Sequence, residues 1–260
     1  MTKDARVSPD TVRLRRLAAR LARRILQERK DVLAIAIVGS VARGDAGPGS
    51  DLDMNVIARR GPKKHVEVVL NGTPLSLSFS TRHDFERDFT EVSSQLAHQH
   101  GGLLAEVLYD PGALFPKVRA KVARLPERIY RDSARDALAG MYEYMGKFRN
   151  ARGRRDHPNL VYAAWVVGVH AINLVGILNR RAYASENTMW SEWRAFPSLP
   201  PRFPELVEVS CGIRRVRDRE LVAAIEALWT TCQRWAGTRG IRLRTIRSIR
   251  SLPIPGRKTT

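Results

Sequence analysis

Two aspartates, Asp51 and Asp53, are the residues of this chain best placed to do chemistry, because they stand one residue apart at the start of an apolar segment. Side chains alternate between the two faces of a strand, so both carboxylates are expected to point the same way. Neighbouring carboxylates repel each other unless a cation lies between them, and a hard divalent ion such as Mg²⁺ suits paired oxygen ligands. The spacing therefore predicts a metal site; the other interpretation is an exposed strand start with two solvated acids.

A glycine-serine pair precedes the aspartates. Gly39 and Ser40 end the apolar run 35–38, which is typical of a buried strand. A loop of small residues follows, and residues 54–57 continue as a second strand after Asp53. Glycine lets the backbone approach a ligand, and serine offers a hydroxyl and an amide to phosphate oxygens. Two strands are thus predicted to place a phosphate-binding turn beside the carboxylates.

The rest of the first half predicts a mixed sheet with helices packed on it. Ser8-Pro9 is a helix start. Asn71-Gly72, between two alternating runs, predicts a two-residue hairpin turn. A helix from Thr81 to about Gln99 and a strand over 103–109 follow.

From about Phe115 the pattern is helical. Helices are predicted at 115–124, 126–150, 157–181, shortly after Ser185 and over 217–235, with a proline-rich connection at 197–204. We therefore predict an α+β chain: a small mixed β-sheet domain over 1–114, an all-α helical bundle over 115–238 and a basic, loosely held tail over 239–260.

The composition is strongly basic, with a net charge of +19. Such an excess attracts nucleotides, RNA, DNA or acidic surfaces, but it is equally consistent with a biased composition. Cys211 and Cys232 are too few for a disulfide framework, and no charged-then-apolar leader opens the chain, so we expect a reducing, cytoplasmic location. Residues 160–178 are apolar enough for a membrane span, yet His170 and Asn173 favour a buried bundle helix and no membrane.

The order Gly39-Ser40, Ala42-Arg43-Gly44 and Ser50-Asp51-x-Asp53 resembles the DNA polymerase β-like nucleotidyltransferase superfamily. The sheet-then-bundle layout is similar to its kanamycin nucleotidyltransferase type. The resemblance implies that Asp51 and Asp53 bind Mg²⁺, with two metal ions as one arrangement, and hold a nucleoside triphosphate. It further implies that the nucleotide is contacted by Gly39, Ser40, Arg43 and Ser50. For Arg43, a plain surface arginine is the equal alternative.

A third acid of the family pattern is missing. It should fall near Ser76, and a serine hydroxyl cannot neutralise a metal or act as an unaided base at neutral pH. If Asn71-Gly72 is a two-residue turn, Glu67 lies opposite Ser76 and could supply the charge from the neighbouring strand. The alternative is that Glu67 is a solvated acid on an edge strand.

Glu143 is the second candidate base, because relatives that modify aminoglycosides use a glutamate of the helical domain to deprotonate the acceptor. Lys147 and Arg149 are close enough in sequence to favour its ionised form, and the alternative is an ordinary Glu-Lys surface pair.

The resemblance implies a Mg²⁺-dependent transfer of a nucleoside monophosphate from a nucleoside triphosphate to a hydroxyl of a small, aminoglycoside-like acceptor, with release of pyrophosphate. An RNA end as acceptor is the enzymatic alternative, and a nucleotide- or nucleic-acid-binding module without catalysis is the other class. Weak RNA or DNA association through the basic surface is expected. Dimers that share a cleft are common among the proteins it resembles, so a homodimer is one arrangement that the resemblance implies.

Overall fold

The structure is a computed structural model that describes residues 7–91 and 93–245. The described residues form two compact units: the first holds those up to residue 134 together with 172–199, and the second holds 135–171 together with 200–245. Residues 246–260 of the predicted tail lie outside the described part. The boundary predicted near residue 114 stays a prediction.

A five-stranded mixed sheet forms the centre of the first unit. Its strands, in chain order β1 to β5, are Val32–Val38, Leu52–Ala58, Lys64–Leu70, Thr73–Thr81 and Glu106–Tyr109. They lie in the order β3-β4-β2-β1-β5, and the β2-β4 pair is parallel while the other pairs are antiparallel. The predicted mixed sheet is therefore confirmed. The strand β2, which begins just after Asp51 and contains Asp53, is the central strand of the sheet.

Helices cover both faces of the sheet. On one face, helix α1 (Pro9–Glu28) packs Leu14 and Ala18 onto Ile35, Ile37 and neighbouring apolar side chains. Ser8 caps this helix as predicted, since its side chain accepts a hydrogen bond from the Thr11 amide at 3.0 Å. Leu14, Ile35 and Ile37 are fully buried in this cluster, and burial of such a side chain stabilises the fold by about 1.5–3 kcal/mol.

On the other face, a second apolar cluster forms around Ile57, Phe85 and Phe115. The helices that supply it are α3 (Arg82–Thr90) and α5 (Leu114–Ala123), which lie beyond the five-residue α2 (Gly39–Arg43) in the chain. Thr81 caps α3 through the Asp84 amide, as the sequence predicts.

The predicted continuation of α3 to Gln99 is wrong. The helix ends at Thr90, because Glu91 takes an extended conformation and the Ser93 hydroxyl accepts from the Gln95 amide at 3.1 Å. Such side-chain-to-backbone bonds compete with helix continuation. A separate short helix, α4, spans Leu96–Gln99, and a 3₁₀ turn at His100–Leu103 makes the predicted strand 103–109 shorter.

The remaining helices, α6 to α10, are Glu127–Arg154, His157–Leu178, Met189–Glu192, Phe203–Ser210 and Asp218–Gly237. The helix predicted to reach Arg181 ends three residues earlier, where Arg180 adopts a left-handed φ of 52°. Helix α9 was not predicted, because the prolines of 197–204 indicated a connection, whereas Pro204 at the first helical turn is compatible with a helix start.

The second unit has an aliphatic and aromatic core supplied by α9, α10 and parts of α6 and α7, including Phe148, Val167, Phe203 and Trp229. Cys211 and Cys232 are free thiols, and burial raises the pKa of Cys211 to about 12. Helix α7 is long and apolar enough to cross a membrane, but 72% of its most apolar stretch is buried within the protein. That burial agrees with the expected core helix.

Candidate functional site

The turn after β1 brings the backbone of Gly39 against the carboxylate of Asp53. Gly39 has a φ of 70°, in the left-handed region that favours glycine, and a β-carbon placed there would lie 2.8 Å from Asp53 Oδ2. Asp53 is on β2, directly paired with Val38 at the end of β1. The glycine therefore leaves the space that the carboxylate occupies.

Asp53 and Asp51 lie close enough to repel each other. Burial is the largest cause of the raised pKa of Asp53, and the negative charge of Asp51 raises this pKa further. A hydrogen bond from Ser76 and the charges of His65 and Arg43 offset part of this increase. A divalent cation between the two carboxylates would remove the repulsion, so the residues present fit such an ion. The described residues contain no ready-made group of three or more His, Cys, Asp or Glu ligands.

Ser76 occupies the sheet position beside Asp53, on the parallel strand β4. On its other side, β3 places Glu67 directly opposite Ser76, and Leu70 pairs with Thr73 across the Asn71-Gly72 turn. The predicted hairpin register is therefore confirmed. It puts Asp53, Ser76 and Glu67 in one row across three strands, on a single face of the sheet.

His65 is a member of this polar face that sequence reasoning missed. Its Nε2 lies 3.1 Å from Glu67 Oε1 and 3.4 Å from Ser76 Oγ, while its Nδ1 lies 3.0 Å from Ser78 Oγ. The signal that could have found it is the alternation of β3, which puts residues 65 and 67 on the same face once the hairpin register is set.

The nucleotide-binding candidates of the loop have different surroundings. The Arg43 guanidinium is held by Asp45 at 3.3 Å and by the Ala184 carbonyl at 3.4 Å, and its charge acts on Asp53. Ser50 Oγ accepts from the Gly47 amide at 2.9 Å, so it closes the loop. Within the described part of the chain the Ser40 hydroxyl has no hydrogen-bond partner, which leaves it available to a ligand.

Glu143 belongs to the second unit, on α6. Its carboxylate lies 2.7 Å from Lys147 Nζ, and the hydrogen bond and charge of Lys147 lower the pKa of Glu143, with a further contribution from His170. The expected help from Arg149 is wrong, because that guanidinium instead holds Glu226 at 2.7 Å and 2.9 Å. Lys147 therefore favours the ionised form of Glu143, whose side chain is 64% exposed.

Comparisons with known proteins match both parts of the chain. The sequence model of the nucleotidyltransferase domain matches residues 19–106, and that of the KNTase C-terminal domain matches residues 112–242. The chain is 22% identical, over 81% of its length, to an aminoglycoside nucleotidyltransferase (4') from Staphylococcus aureus and to one from a Bacillus species, covering 84% of each.

A solved structure has the same fold. The crystal structure of a nucleotidyltransferase-like protein from Exiguobacterium sibiricum aligns with a TM-score of 0.53 at 13% identity, over 86% of this chain and 74% of that one. At this identity the likeness concerns the fold alone.

Proposed function

Because the chain belongs to the two-domain nucleotidyltransferases of the kanamycin nucleotidyltransferase type, we propose that it transfers a nucleoside monophosphate from a nucleoside triphosphate to a hydroxyl of a small, aminoglycoside-like acceptor, with release of pyrophosphate. The observation that carries the proposal is the Asp53 carboxylate, set against Gly39 and repelled by Asp51. Arrangements that force like charges together are typical of sites that bind a cation.

In this proposal Asp51 and Asp53 hold Mg²⁺. The ion, when bound, supplies charge neutralisation for the triphosphate and orients it for in-line attack. Ser40 offers its hydroxyl to phosphate, Arg43 directs its fixed guanidinium charge toward Asp53 and the phosphates, and Ser50 keeps the loop closed around them. A second metal ion would need another carboxylate, which Ser76 does not provide.

Glu143 is the proposed base for the acceptor hydroxyl. Its ionised form is favoured by Lys147, and its exposure leaves the carboxylate accessible. A carboxylate of lowered pKa is too weak a base to deprotonate a free hydroxyl. Its proposed contribution is therefore to orient the acceptor hydroxyl and to accept its proton as the oxygen attacks, when that proton becomes acidic. Because its proposed substrate is a nucleoside triphosphate, we propose the cytoplasm as the location of the reaction.

The test is pyrophosphate release with ATP, GTP, CTP and UTP in turn, with Mg²⁺, in the presence and absence of a panel of aminoglycosides. We expect release that depends on one triphosphate, on Mg²⁺ and on an acceptor, and that is lost in Asp53→Asn. Triphosphate binding without release would instead support the non-catalytic binding module.

A polyanion is the second candidate partner, favoured by one surface of the second unit. Three exposed arginines, Arg152, Arg155 and Arg219, line a cavity of about 440 Å³. The two aspartates of this cavity have partners other than these arginines: Asp218 contacts His157 at 3.1 Å, and Asp156 accepts a hydrogen bond from the Asn159 amide at 2.7 Å. We therefore propose this arginine surface as the place for weak RNA or DNA association, whether or not an RNA end is the acceptor.

A further inference from the structure

Only the two outer residues of the polar row across the sheet carry a negative charge, because the middle position is a serine. Asp53 is at one end and Glu67 at the other, and Ser76 between them contributes only a hydroxyl, which it donates to Asp53. A carboxylate at position 76 would stand next to Asp53. Glu67 is one strand further away, about 5 Å in the direction of the backbone hydrogen bonds, which is within reach of an extended glutamate side chain.

His65 determines where Glu67 points. Among the described residues it is the only side chain that makes a hydrogen bond or ion pair with Glu67, at 3.1 Å from Nε2 to Oε1. The same Nε2 is 3.4 Å from Ser76 Oγ, so the imidazole lies on the side of Glu67 that faces β4. Ser78 fixes the ring from the other nitrogen at 3.0 Å.

The hydrogen bonds around the ring form one consistent set. Nε2–H donates to Glu67, and Nδ1 bonds the Ser78 hydroxyl, which donates to a neutral ring and accepts from a protonated one. Nε2 thus contacts both the Glu67 carboxylate on β3 and the Ser76 hydroxyl on β4, which places that carboxylate beside the imidazole. Because Glu67 is 78% exposed, its side chain is free to rotate further when a cation arrives.

We propose that His65 is a positioning residue that keeps Glu67 over β4, so that Glu67 supplies from β3 the third carboxylate that β4 lacks. The inference rests on the proposed metal site at Asp51 and Asp53. Partners of this kind, which orient a ligand without touching the metal, commonly change metal affinity by about 10–100-fold when removed.

The experiment is Mn²⁺ binding, with Mn²⁺ as the probe for the divalent ion, followed by electron paramagnetic resonance of the free ion in the full-length protein. Variants are His65→Ala, His65→Gln, Glu67→Gln and Ser76→Asp, each also checked by thermal unfolding. His83→Ala is the matched control, because His83 is an exposed histidine at the start of α3.

We expect His65→Ala and Glu67→Gln each to weaken Mn²⁺ binding about tenfold or more. His65→Gln, whose amide retains a donor near the Nε2 position, should recover most of that affinity, and His83→Ala should bind as the wild type does. In the Ser76→Asp background, His65→Ala should cost less than about twofold, because the carboxylate then comes from β4 and the two sites are coupled.

Wild-type Mn²⁺ affinity in both His65→Ala and Glu67→Gln would overturn the inference, as would an equal loss in the two backgrounds. Asp53→Asn separates this failure from that of the proposed function. If Asp53→Asn loses Mn²⁺ while His65→Ala retains it, only the role of His65 fails. If Asp53→Asn binds Mn²⁺ like the wild type, the metal site itself is wrong.

Discussion

The Asp53 carboxylate lies where a side chain at residue 39 would stand, 2.8 Å from the β-carbon that Gly39 lacks. The central strand β2 and the turn after β1 are thus fitted to each other at one residue pair. Gly39 is therefore required for two reasons: its backbone is left-handed, and a side chain there would displace the Asp53 carboxylate. Substitutions can separate the two effects.

We predict that Gly39→Ala weakens metal-dependent triphosphate binding by about tenfold or more, because the methyl group displaces the carboxylate. The left-handed backbone adds a stability cost of about 1–2 kcal/mol. Gly44→Ala is the control: Gly44 has a φ of 89°, and a β-carbon there meets nothing within 4 Å. It should lose stability similarly and retain binding, measured by calorimetric titration and thermal unfolding. Equal binding losses in both variants would contradict the role given to the Gly39–Asp53 contact.

The raised pKa of Asp53 makes a prediction about stability without metal. Burial and Asp51 raise this pKa above its unfolded value, so the stabilisation that Asp53 contributes is present below the unfolded pKa and is lost as pH rises through the folded pKa. At neutral pH the ionised group therefore destabilises the metal-free protein. Asp53→Asn should melt a few degrees higher than the wild type in EDTA at pH 7.5, with the difference shrinking toward pH 4. A lower melting temperature for Asp53→Asn in EDTA would show that the carboxylate is already stabilised by a protein group.

A carboxylate restored at position 76 should increase activity. Ser76→Asp places a third acid beside Asp53, and we expect pyrophosphate release to rise about tenfold, equivalent to about 1.4 kcal/mol of transition-state stabilisation. Without Mg²⁺ the added like charge should lower the melting temperature, and Mg²⁺ should restore it. Ser78→Asp, on the same face but paired with Asn55, is the control and should not gain activity. Release that is unchanged or lower in Ser76→Asp would mean that no third carboxylate is needed there.

The proposed base can be tested against a glutamate with a similar partner. Glu143→Gln should lower kcat by about a hundredfold or more and leave the KM for the triphosphate unchanged. Glu226→Gln is matched, because Glu226 is also held by a cationic side chain of α6, Arg149 at 2.7 Å. It should keep kcat within a few-fold of the wild type. Similar kcat values in the two variants would remove Glu143 from the reaction.

Association with RNA should depend on the arginine surface. Replacing Arg152, Arg155 and Arg219 by Gln should reduce the slope of log affinity against log salt by about two for a poly(U) oligonucleotide. The control replaces Arg16, Arg20 and Arg23, three exposed arginines of α1, and removes the same charge. Fluorescence anisotropy over a salt series measures both. Equal slopes for the two triple variants would indicate that the net charge, and not this surface, attracts RNA.

The sequence predicts the hairpin part of the row because a short-range signal determines it, whereas the third-acid position at Ser76 is expected from the family resemblance, since β2 and β4 pair in parallel and are not joined by a turn. Asn71-Gly72 has positive φ at both positions, as the hairpin turn requires, and the turn fixes the register that places Glu67 opposite Ser76. His65 was not predicted because two of its three partners, Ser76 and Ser78, lie on β4, and only the pairing of the strands brings them to it.

Other features depended on tertiary contacts or on competing local bonds. The end of α3 at Thr90 follows from a bond made by Ser93, which is a weak signal in a run of helix-compatible residues. Helix α9 begins inside a proline-rich stretch, where fixed φ angles fit both a connection and a first helical turn. Arg149 is near Glu143 in sequence, but Glu226 of α10 binds it.

The most direct test of the metal site is calorimetric titration of a non-hydrolysable triphosphate analogue, with and without Mg²⁺, into the wild type, Asp51→Asn and Asp53→Asn. We predict binding by the wild type that requires Mg²⁺, and loss of that requirement together with most of the affinity in both variants. Binding of equal strength with and without Mg²⁺, unchanged by either substitution, would contradict the assignment of Asp51 and Asp53 as the residues that hold the metal and its triphosphate.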